Sequence, residues 1–286
     1  AEVTLVDIGI PDAATRYVGE GDLDLIRREI DSHKGENGEI LVVGGGPYTG
    51  APALTSMAAL RSGCDLVRVA CPESVADRIQ GYSPNLITHS LTGNVITGDN
   101  VEKIIGIGEG CDSVVLGPGL GDADETVEAA GELIEAMDRL VVDADAITAV
   151  DGVDTDGKDV LITPHAGELG QFVEVPENLE GRTEVVKEFS KDRGLVTLLK
   201  GRNDVVSDGD DVRISRTGNP GMTVGGTGDV LAGISGFLST QIDLMDAGCI
   251  AAFVNGRAGD EAFDCYGDGL TANDVIDKVP VAFEDR

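Results

Sequence analysis

Residues 218–233 read GNPGMTVGGTGDVLAG, a glycine-rich loop that runs directly into an apolar helix. Six of these sixteen positions are glycine, and Asp229 lies in the first turn of the predicted helix. Glycine lets the backbone approach a ligand closely, and the free N–H groups of a first helical turn attract an anion. The stretch therefore predicts an anion-binding loop at the start of a helix.

Asp229 is the candidate catalytic base. The helix dipole and the N–H donors of the first turn would favour its ionised form. A carboxylate beside an anion site can take a proton from an attacking hydroxyl while the site holds a transferring phosphoryl group. The alternative is a capping Asp after a flexible loop, which accounts for one Asp but not for six glycines. We therefore predict a nucleotide-driven phosphoryl transfer.

Upstream of this loop, short β-branched runs alternate with amphipathic patterns. The chain predicts strands at 40–43, 66–70, 113–116, 140–142, 160–162 and 196–199, and helices at 52–61, 72–79, 122–137 and 182–191. It further predicts a hairpin of 205–207 with 212–215, then helices at 229–238, 244–264 and 272–278. Strands alternating with helices indicate an α/β fold with a mostly parallel sheet and helices on both faces.

Five predicted strands are each followed by glycines or by polar residues that could carry chemistry. These segments are GGG at 44–46, GPGLG at 117–121, DAD at 143–145, TPHAGE at 163–168 and KG at 200–201. Parallel sheets bind ligands beyond the carboxyl ends of their strands, so we expect the five segments to meet at one edge. Lys200 ends an apolar strand, and either a bound phosphate or a structural ion pair would satisfy its charge.

Two common nucleotide motifs do not match. No segment fits GxxxxGK[ST], and VVGGGPYTG does not give GxGxxG because the position five after Gly44 is Thr49. The three histidines are too widely spaced to indicate a zinc site. A lone histidine is more often structural, but the place of His165 in TPHAGE at a strand end favours a functional role.

The charge of the chain excludes several partners. Lys and Arg total 21 against 52 Asp and Glu, a formal net charge of −31. Such a chain repels phosphate backbones and anionic lipid, so we expect neither a nucleic-acid nor a membrane partner. Five cysteines without CxxC spacing argue against a disulfide framework and favour a cytoplasmic protein. Scattered acidic residues suit a high-salt cytoplasm and predict a halophile, with an ordinary acidic protein as the alternative.

These segments together resemble the nucleotide-dependent NAD(P)H-hydrate dehydratases, a branch of the ribokinase-like superfamily. GGTGD followed by an apolar helix is typical of the superfamily, and GAPAL, TPHAGE and GNPGM together are typical of the dehydratases. The matching segments follow the family's order and cover nearly the whole chain after residue 30: HKG (33–35), GGGPYTGAPAL (44–54), GPGLG (117–121), DADA (143–146), TPHAGE (163–168), KG (200–201), GNPGMTVGGTGDVLAG (218–233) and LTANDVI (270–276).

The resemblance implies a ribokinase-like three-layer fold and the repair of hydrated nicotinamide cofactor. Such an enzyme phosphorylates the C6 hydroxyl of (6S)-NAD(P)H hydrate and eliminates phosphate to restore NAD(P)H. Bacterial and archaeal members use ADP and release AMP, and the salt-adapted composition favours that type. Phosphoryl transfer implies Mg²⁺, with Asp143 and Glu168 as candidate ligands. The alternatives are a vitamin-precursor kinase of the same superfamily and a catalytically silent nucleotide sensor.

The resemblance also assigns site residues. Asp229 would deprotonate the C6 hydroxyl. The hydrate pocket would be lined by Ala51, Gly119, Gly121, Thr163, His165 and Glu168. The nucleotide would be bound by Lys200, Gly201, Arg202, Asn203, Asp204, Asn219, Gly221, Met222, Gly225, Gly226, Thr227 and Gly228. Asp204 departs from the family, which usually has Thr at the end of the KGxxT stretch.

The opening VDIGIP (6–11) resembles the tail of the hydrate epimerase domain that precedes the dehydratase in bifunctional members. We therefore expect residues 1–15 to be an N-terminal segment left from such a domain and residues 16–286 to be the dehydratase domain. We also expect a homo-oligomer.

Overall fold

The computed structural model of the protein describes residues 12–26, 28, 31–155 and 157–284. Within these residues one sheet contains nine strands: β1 (Glu39–Val43), β2 (Leu66–Pro72), β3 (Ile87–Leu91), β4 (Ser113–Leu116), β5 (Arg139–Val142), β6 (Asp159–Ile162), β7 (Val196–Leu199), β8 (Asp204–Ser207) and β9 (Val212–Ser215). Their order is β3-β2-β1-β4-β5-β6-β7-β8-β9.

Strand pairing is parallel from β3 to β7, and β8 and β9 add an antiparallel hairpin at one edge. Neighbours in the sheet are consecutive in the chain except at the β1–β4 junction, where Val43 pairs with Leu116. The chain leaves β1 for β2 on one side and returns to β4 on the other. Open parallel sheets bind ligands at such a junction.

Helices cover both faces of the sheet. They are α1 (Gly50–Ser62), α2 (Glu73–Gly81), α3 (Gly98–Gly108), α4 (Asp124–Ala136), α5 (Ala166–Leu169), α6 (Leu179–Arg193), α7 (Thr227–Leu238), α8 (Leu244–Tyr266) and α9 (Ala272–Ala282). Successive strand residues face opposite sides, so Ile40 and Val42 pack in the core below α1, α7, α8 and α9. Leu41 and Val43 pack in the core below α3, α4 and α6. The predicted three-layer α/β fold is confirmed.

Small residues allow α7 to lie close to its neighbours. A Cβ on Gly233 would clash with the backbone of Thr55 in α1, and one on Gly236 would clash with Val115 of β4. Every residue from Val230 to the end of α7 is buried. This packing fixes the position of the first turn of α7, and with it the carboxylate of Asp229.

The sequence-based assignment missed β3 and α3. The edge strand β3 reads ITHSL and leaves Ile87 40% exposed, so it lacks the apolar run that marks the inner strands. The helix α3 contains three glycines, which weaken its pattern. Smaller differences concern bounds: Pro72 ends β2 instead of beginning α2, and α4 is shorter at both ends than the predicted 122–137.

All five cysteines are free, with Cys64 and Cys71 buried and Cys111 half-buried. Burial raises the pKa of Cys64 to about 12 and that of Cys71 to about 11. In the described part of the chain, no helix combines the length and the apolar character needed to span a bilayer. Residues 1–11 lie outside the described residues, so the expectation for the segment 1–15 stays a prediction.

Candidate active site

An ion-pair network joins the carboxyl ends of β5, β6 and β7. Asp143 follows β5 and is 2% exposed. Its Oδ1 accepts a hydrogen bond from Thr163 Oγ1 at 2.6 Å and another from Lys200 Nζ at 2.9 Å. Glu168 Oε2 lies 3.8 Å from the same ammonium. Three segments that the sequence placed at one edge therefore meet at Lys200.

Lys200 keeps its charge in this network. Burial alone would lower the pKa of Lys200, but the carboxylates of Asp143 and Glu168 outweigh it and hold that pKa above its usual value. Of the two roles left open by the sequence, the structure shows the ion pair. The ammonium also faces the glycine loop, because a Cβ built on Gly228 would lie 3.5 Å from Nζ. A phosphoryl group bound at that loop would lie within reach of the positive charge.

Asp229 occupies the first turn of α7 without serving as its cap. The N-cap is Gly226, and among the described residues none donates a hydrogen bond to the Asp229 carboxylate. Burial raises the pKa of Asp229 to about 7, with Asp143 adding to the rise and Lys200 opposing it. The expected stabilisation of its ionised form was wrong, because desolvation and a second carboxylate outweigh the helix dipole. An unpaired carboxylate with this pKa suits a general base.

Asp260 on α8 holds the start of the glycine loop. Its carboxylate accepts hydrogen bonds from Gly218 N at 3.0 Å and from Asn219 Nδ2 at 2.9 Å. Asn219 Oδ1 in turn accepts one from Gly221 N at 3.0 Å. Asp260 was not predicted from the sequence, because its role depends on a loop that is distant in the chain. Asn219 and Gly221 thus shape the loop through contacts with the protein itself.

Packing holds part of the remaining loop in place, and another part of it is exposed. Thr227 Oγ1 donates to Met222 O at 2.8 Å, and Met222 packs against Gly259 of α8. Gly226 has φ +100°, and a Cβ there would lie 2.8 Å from side chains of α1 and α9, so only glycine fits without strain. Gly225 is exposed, and a Cβ built on it would meet nothing within 4 Å. The open stretch from Gly225 to Gly228 is where a phosphate can approach the backbone.

Asp204 closes the turn that follows β7. Its Oδ1 accepts a hydrogen bond from Gly201 N at 2.8 Å. Burial raises the pKa of Asp204 to about 7, although the Gly201 N–H and the charges of Lys200 and Arg182 oppose the rise. Arg182, a residue that the sequence analysis did not select, braces the same turn by donating to Lys200 O at 2.8 Å. Within this turn Arg202 is exposed and Asn203 is half-buried.

A second group of predicted residues surrounds the GPGLG turn. Gly121 N donates to Asp145 Oδ2 at 2.7 Å. A Cβ on Gly119 would lie 3.3 Å from Ala51 Cβ, so Ala51 and Gly119 form one small-walled surface. Asp145 also contributes to the raised pKa of Asp229, so the two carboxylates interact electrostatically. Asp145 thus relates the turn of the predicted hydrate pocket to the predicted base.

The DADA segment (143–146) turns sharply, so the carboxylates of Asp143 and Asp145 contact different partners. Ala144 has φ 51° and is the one non-glycine residue with positive φ among those described. Asp143 before it pairs with Lys200, and Asp145 after it holds the GPGLG turn. Because the left-handed region disfavours residues with a Cβ, this backbone is strained where the two halves of the site meet.

His165 caps the short helix α5. Its Nδ1 accepts from Gly167 N at 2.9 Å and from Glu168 N at 3.1 Å, while Glu168 Oε2 accepts from His165 N at 2.6 Å. Since Nδ1 is an acceptor, the ring hydrogen is on Nε2, which lies 3.5 Å from Glu168 Oε1. The imidazole is 60% exposed. His165 therefore belongs to the Lys200 network through Glu168.

The described residues contain no group of three or more His, Cys, Asp or Glu side chains that could hold a metal ion. Asp143 and Glu168, the candidate ligands, both face Lys200. Mg²⁺ commonly binds through one or two carboxylates together with phosphates and waters. The donor set fits an ion carried by nucleotide phosphates and does not fit an all-protein metal cage.

Relatives of known name cover the chain almost completely. It is 43% identical to a bifunctional NAD(P)H-hydrate repair enzyme of Pyrobaculum aerophilum, over 98% of the chain and 57% of that protein. It is 40% identical to an ADP-dependent (S)-NAD(P)H-hydrate dehydratase of Cenarchaeum symbiosum, over 93% of the chain and 96% of the relative. The chain thus spans a little over half the length of the bifunctional relative.

Solved structures agree in fold. The ADP/ATP-dependent NAD(P)H-hydrate dehydratase of Bacillus subtilis, co-crystallised with ATP and Mg²⁺, superposes with a TM-score of 0.82 at 26% identity over 97% of this chain and 100% of that one. A ribokinase-like superfamily protein of Enterococcus faecalis gives a TM-score of 0.80 at 22% identity over 99% and 98%. The predicted ribokinase-like fold is confirmed. With the model of the NAD(P)H-hydrate dehydratase family matching residues 40–281, the chain belongs to that family.

Proposed function

We propose that this chain dehydrates (6S)-NAD(P)H hydrate to NAD(P)H, at the expense of ADP, which yields AMP and phosphate. The observation that carries the proposal is the position of Asp229. Its unpaired carboxylate, with a pKa raised to about 7, follows the glycine loop that faces Lys200 and interacts electrostatically with Asp145, which holds the GPGLG turn beside Ala51. A base in that position can serve a hydroxyl on one side and a phosphoryl group on the other.

In the proposed reaction, Asp229 takes the proton of the C6 hydroxyl as that oxygen attacks the β-phosphorus of ADP, and AMP leaves. The N–H groups of the loop from Gly225 to Gly228 and the ammonium of Lys200 stabilise the charge on the transferring group. The lone pair of the ring nitrogen then expels the C6 oxygen as phosphate. A proton leaves C5, which restores the dihydropyridine ring.

The surface of Ala51 and Gly119 has a separate task, which is to hold the ring flat during elimination. Small side chains let a planar ring lie against the backbone. Asp145 holds the GPGLG turn through Gly121 N, which orders one side of this surface. Such positioning distinguishes a dehydratase from a kinase, which releases its phosphorylated product intact.

Mg²⁺ enters this proposal with the nucleotide, where it would neutralise phosphate charge during transfer. We further propose a cytoplasmic enzyme, which the five free thiols favour. The homo-oligomer and the high-salt habitat stay predictions.

The test is incubation with (6S)-NADH hydrate and either ADP or ATP, followed by near-UV absorbance of the reduced nicotinamide and by AMP release. We expect one AMP for each NADH formed, and faster repair with ADP than with ATP. A reaction that uses both donors equally, or ATP alone, would overturn the donor assignment. Accumulation of a phosphorylated hydrate without NADH would instead indicate the kinase alternative.

A further inference from the structure

Two exposed tyrosines, Tyr48 and Tyr82, lie near one another at the edge of the proposed site. Tyr48 is 63% exposed and Tyr82 is 55% exposed. Tyr82 Oη lies 3.3 Å from Oγ1 of Thr49, the residue after Tyr48, which brings Tyr82 to the same loop. Single exposed aromatic residues are ordinary on protein surfaces. Two exposed tyrosines near one another at the edge of a proposed ligand site suit the binding of a flat ligand.

Tyr48 lies beside the proposed hydrate pocket. Backbone hydrogen bonds hold the start of the loop before it, from Gly44 N to Ala70 O at 3.1 Å and from Gly45 N to Pro118 O at 2.9 Å. A Cβ on Gly119 would lie 3.1 Å from Tyr48 Cβ, so Tyr48 borders the same glycine as Ala51 does. A fixed backbone position lowers the cost of ordering the aromatic side chain on a ligand.

The order of the strands gives the direction in which the substrate extends. Lys200 and its turn follow β7, Asp143 and Asp145 follow β5, the GPGLG turn follows β4, and Tyr48 follows β1. ADP would occupy the β7 side of Asp229, and the hydrated ring would lie at Gly119. The rest of a dinucleotide must then extend away from ADP, past β1, toward Tyr48 and Tyr82.

We infer that Tyr48 and Tyr82 form a stacking platform for the adenine base of the dinucleotide substrate, an inference that rests on the proposed function. Aromatic rings bind any base through its π-face and need no positive charge. That chemistry suits this chain, because a net charge of −31 weakens electrostatic capture of a diphosphate. The platform makes the enzyme selective for a dinucleotide over a nicotinamide mononucleotide.

The experiment compares two substrates, the 6-hydroxy hydrates of NADH and of reduced nicotinamide mononucleotide, with ADP as donor. For Tyr48→Ala and Tyr82→Ala we expect kcat/KM for the dinucleotide to fall by roughly five- to fifty-fold, mainly through KM. The same variants should keep kcat/KM for the mononucleotide and the Kd for ADP. Tyr48→Phe should retain most of the dinucleotide preference, because it keeps the ring.

Tyr17 provides a matched control, since it is also exposed but pairs with Ile214 on β9 at the opposite edge of the sheet. Tyr17→Ala should leave the ratio of the two substrates unchanged. Equal losses with both substrates, or no loss with either, would overturn the platform. If the wild-type protein regenerates no NADH from its hydrate with ADP, the proposed function is wrong. The inference about the platform is then wrong as well.

Discussion

Lys200 Nζ lies 2.9 Å from Asp143 Oδ1, an ion pair formed at the edge of the sheet where β7 and β5 end. The Asp143 side chain is almost completely buried, and Thr163 donates to the same oxygen. Because removal of one partner leaves the other charge buried, breaking such a pair costs far more than the pair contributes. The arrangement holds the ammonium beside the glycine loop before any nucleotide arrives.

Asp143→Asn should therefore reduce kcat by about ten- to a hundred-fold, because Lys200 loses the partner that positions it. Since Asp143 also raises the pKa of Asp229, the acid limb of the pH–rate profile should move to lower pH. The control is Thr163→Val, which removes one hydrogen bond but no charge and should leave the profile in place. A pH profile unaltered by Asp143→Asn would mean that this residue is merely structural.

Asp229→Asn should abolish turnover while ADP still binds. The amide keeps the size of the side chain but cannot accept the proton, and loss of a general base costs about 10²–10⁴ in rate. Repair rates and ADP calorimetry on one preparation measure both effects. Asp138→Asn, an exposed change just before β5 at the far end of that strand, is the control. A variant of Asp229 with more than roughly a tenth of the wild-type rate would exclude it as the base.

The raised pKa of Asp229 makes activity and the free energy of unfolding depend on pH in opposite directions. Activity should rise with pH through about 7, because only the ionised carboxylate is a base. The folded state binds a proton that the unfolded chain has lost, so the free energy of unfolding should fall as pH rises from about 4 to 7. Urea unfolding at pH 8 should find Asp229→Asn about 2 kcal/mol more stable than wild type. Equal stability at pH 8 would contradict the raised pKa.

Ala51→Leu should block the hydrate and leave the Kd of ADP within a few-fold, because its side chain would occupy the surface beside Gly119. Repair assays and ADP titration on the same variant test this division of the site. Gly50→Ala is the matched control, since a Cβ there meets nothing within 4 Å. Gly121 is a poorer probe: it has φ +82°, and a Cβ would lie 2.8 Å from Pro47. An equal loss of ADP affinity would place Ala51 in the nucleotide site.

Ala144 offers a test of backbone strain. Ala144→Gly should leave the free energy of unfolding within about 0.5 kcal/mol, because relief of the left-handed conformation offsets the flexibility of glycine. Ala144→Val should lower it by about 1–3 kcal/mol, since a β-branched residue tolerates positive φ poorly. Urea unfolding of the three proteins measures both changes. If valine is as well tolerated as glycine, the turn between Asp143 and Asp145 is not strained.

The sequence could predict features that depend on local pattern. The inner strands are apolar because both faces are covered, and the glycine loop before Asp229 is unambiguous in composition. The edge strand β3 escaped notice because one of its faces meets solvent and its residues alternate only weakly. Its neighbour α3 escaped notice because glycines dilute its apolar face.

Relationships between distant segments could not be predicted in the same way. The roles of Asp260 and Arg182 arise from side chains that reach loops 41 and 18 residues away, and neither carries a local motif. The pKa of Asp229 was predicted in the wrong direction for a related reason. Its own helix is visible in the sequence, whereas Asp143, which opposes its ionisation, lies 86 residues earlier in the chain.

The junction of β1 with β4 also bears on how the molecule assembles. On one side of it β1, β2 and β3 are consecutive, and on the other side so are β4 to β9, so each half can form from contacts between segments near in sequence. Closing the junction joins Val43 to Leu116 and brings Tyr48 against Gly119. The substrate surface thus needs both halves, and an occupant that bridges them should slow their separation more than ADP does.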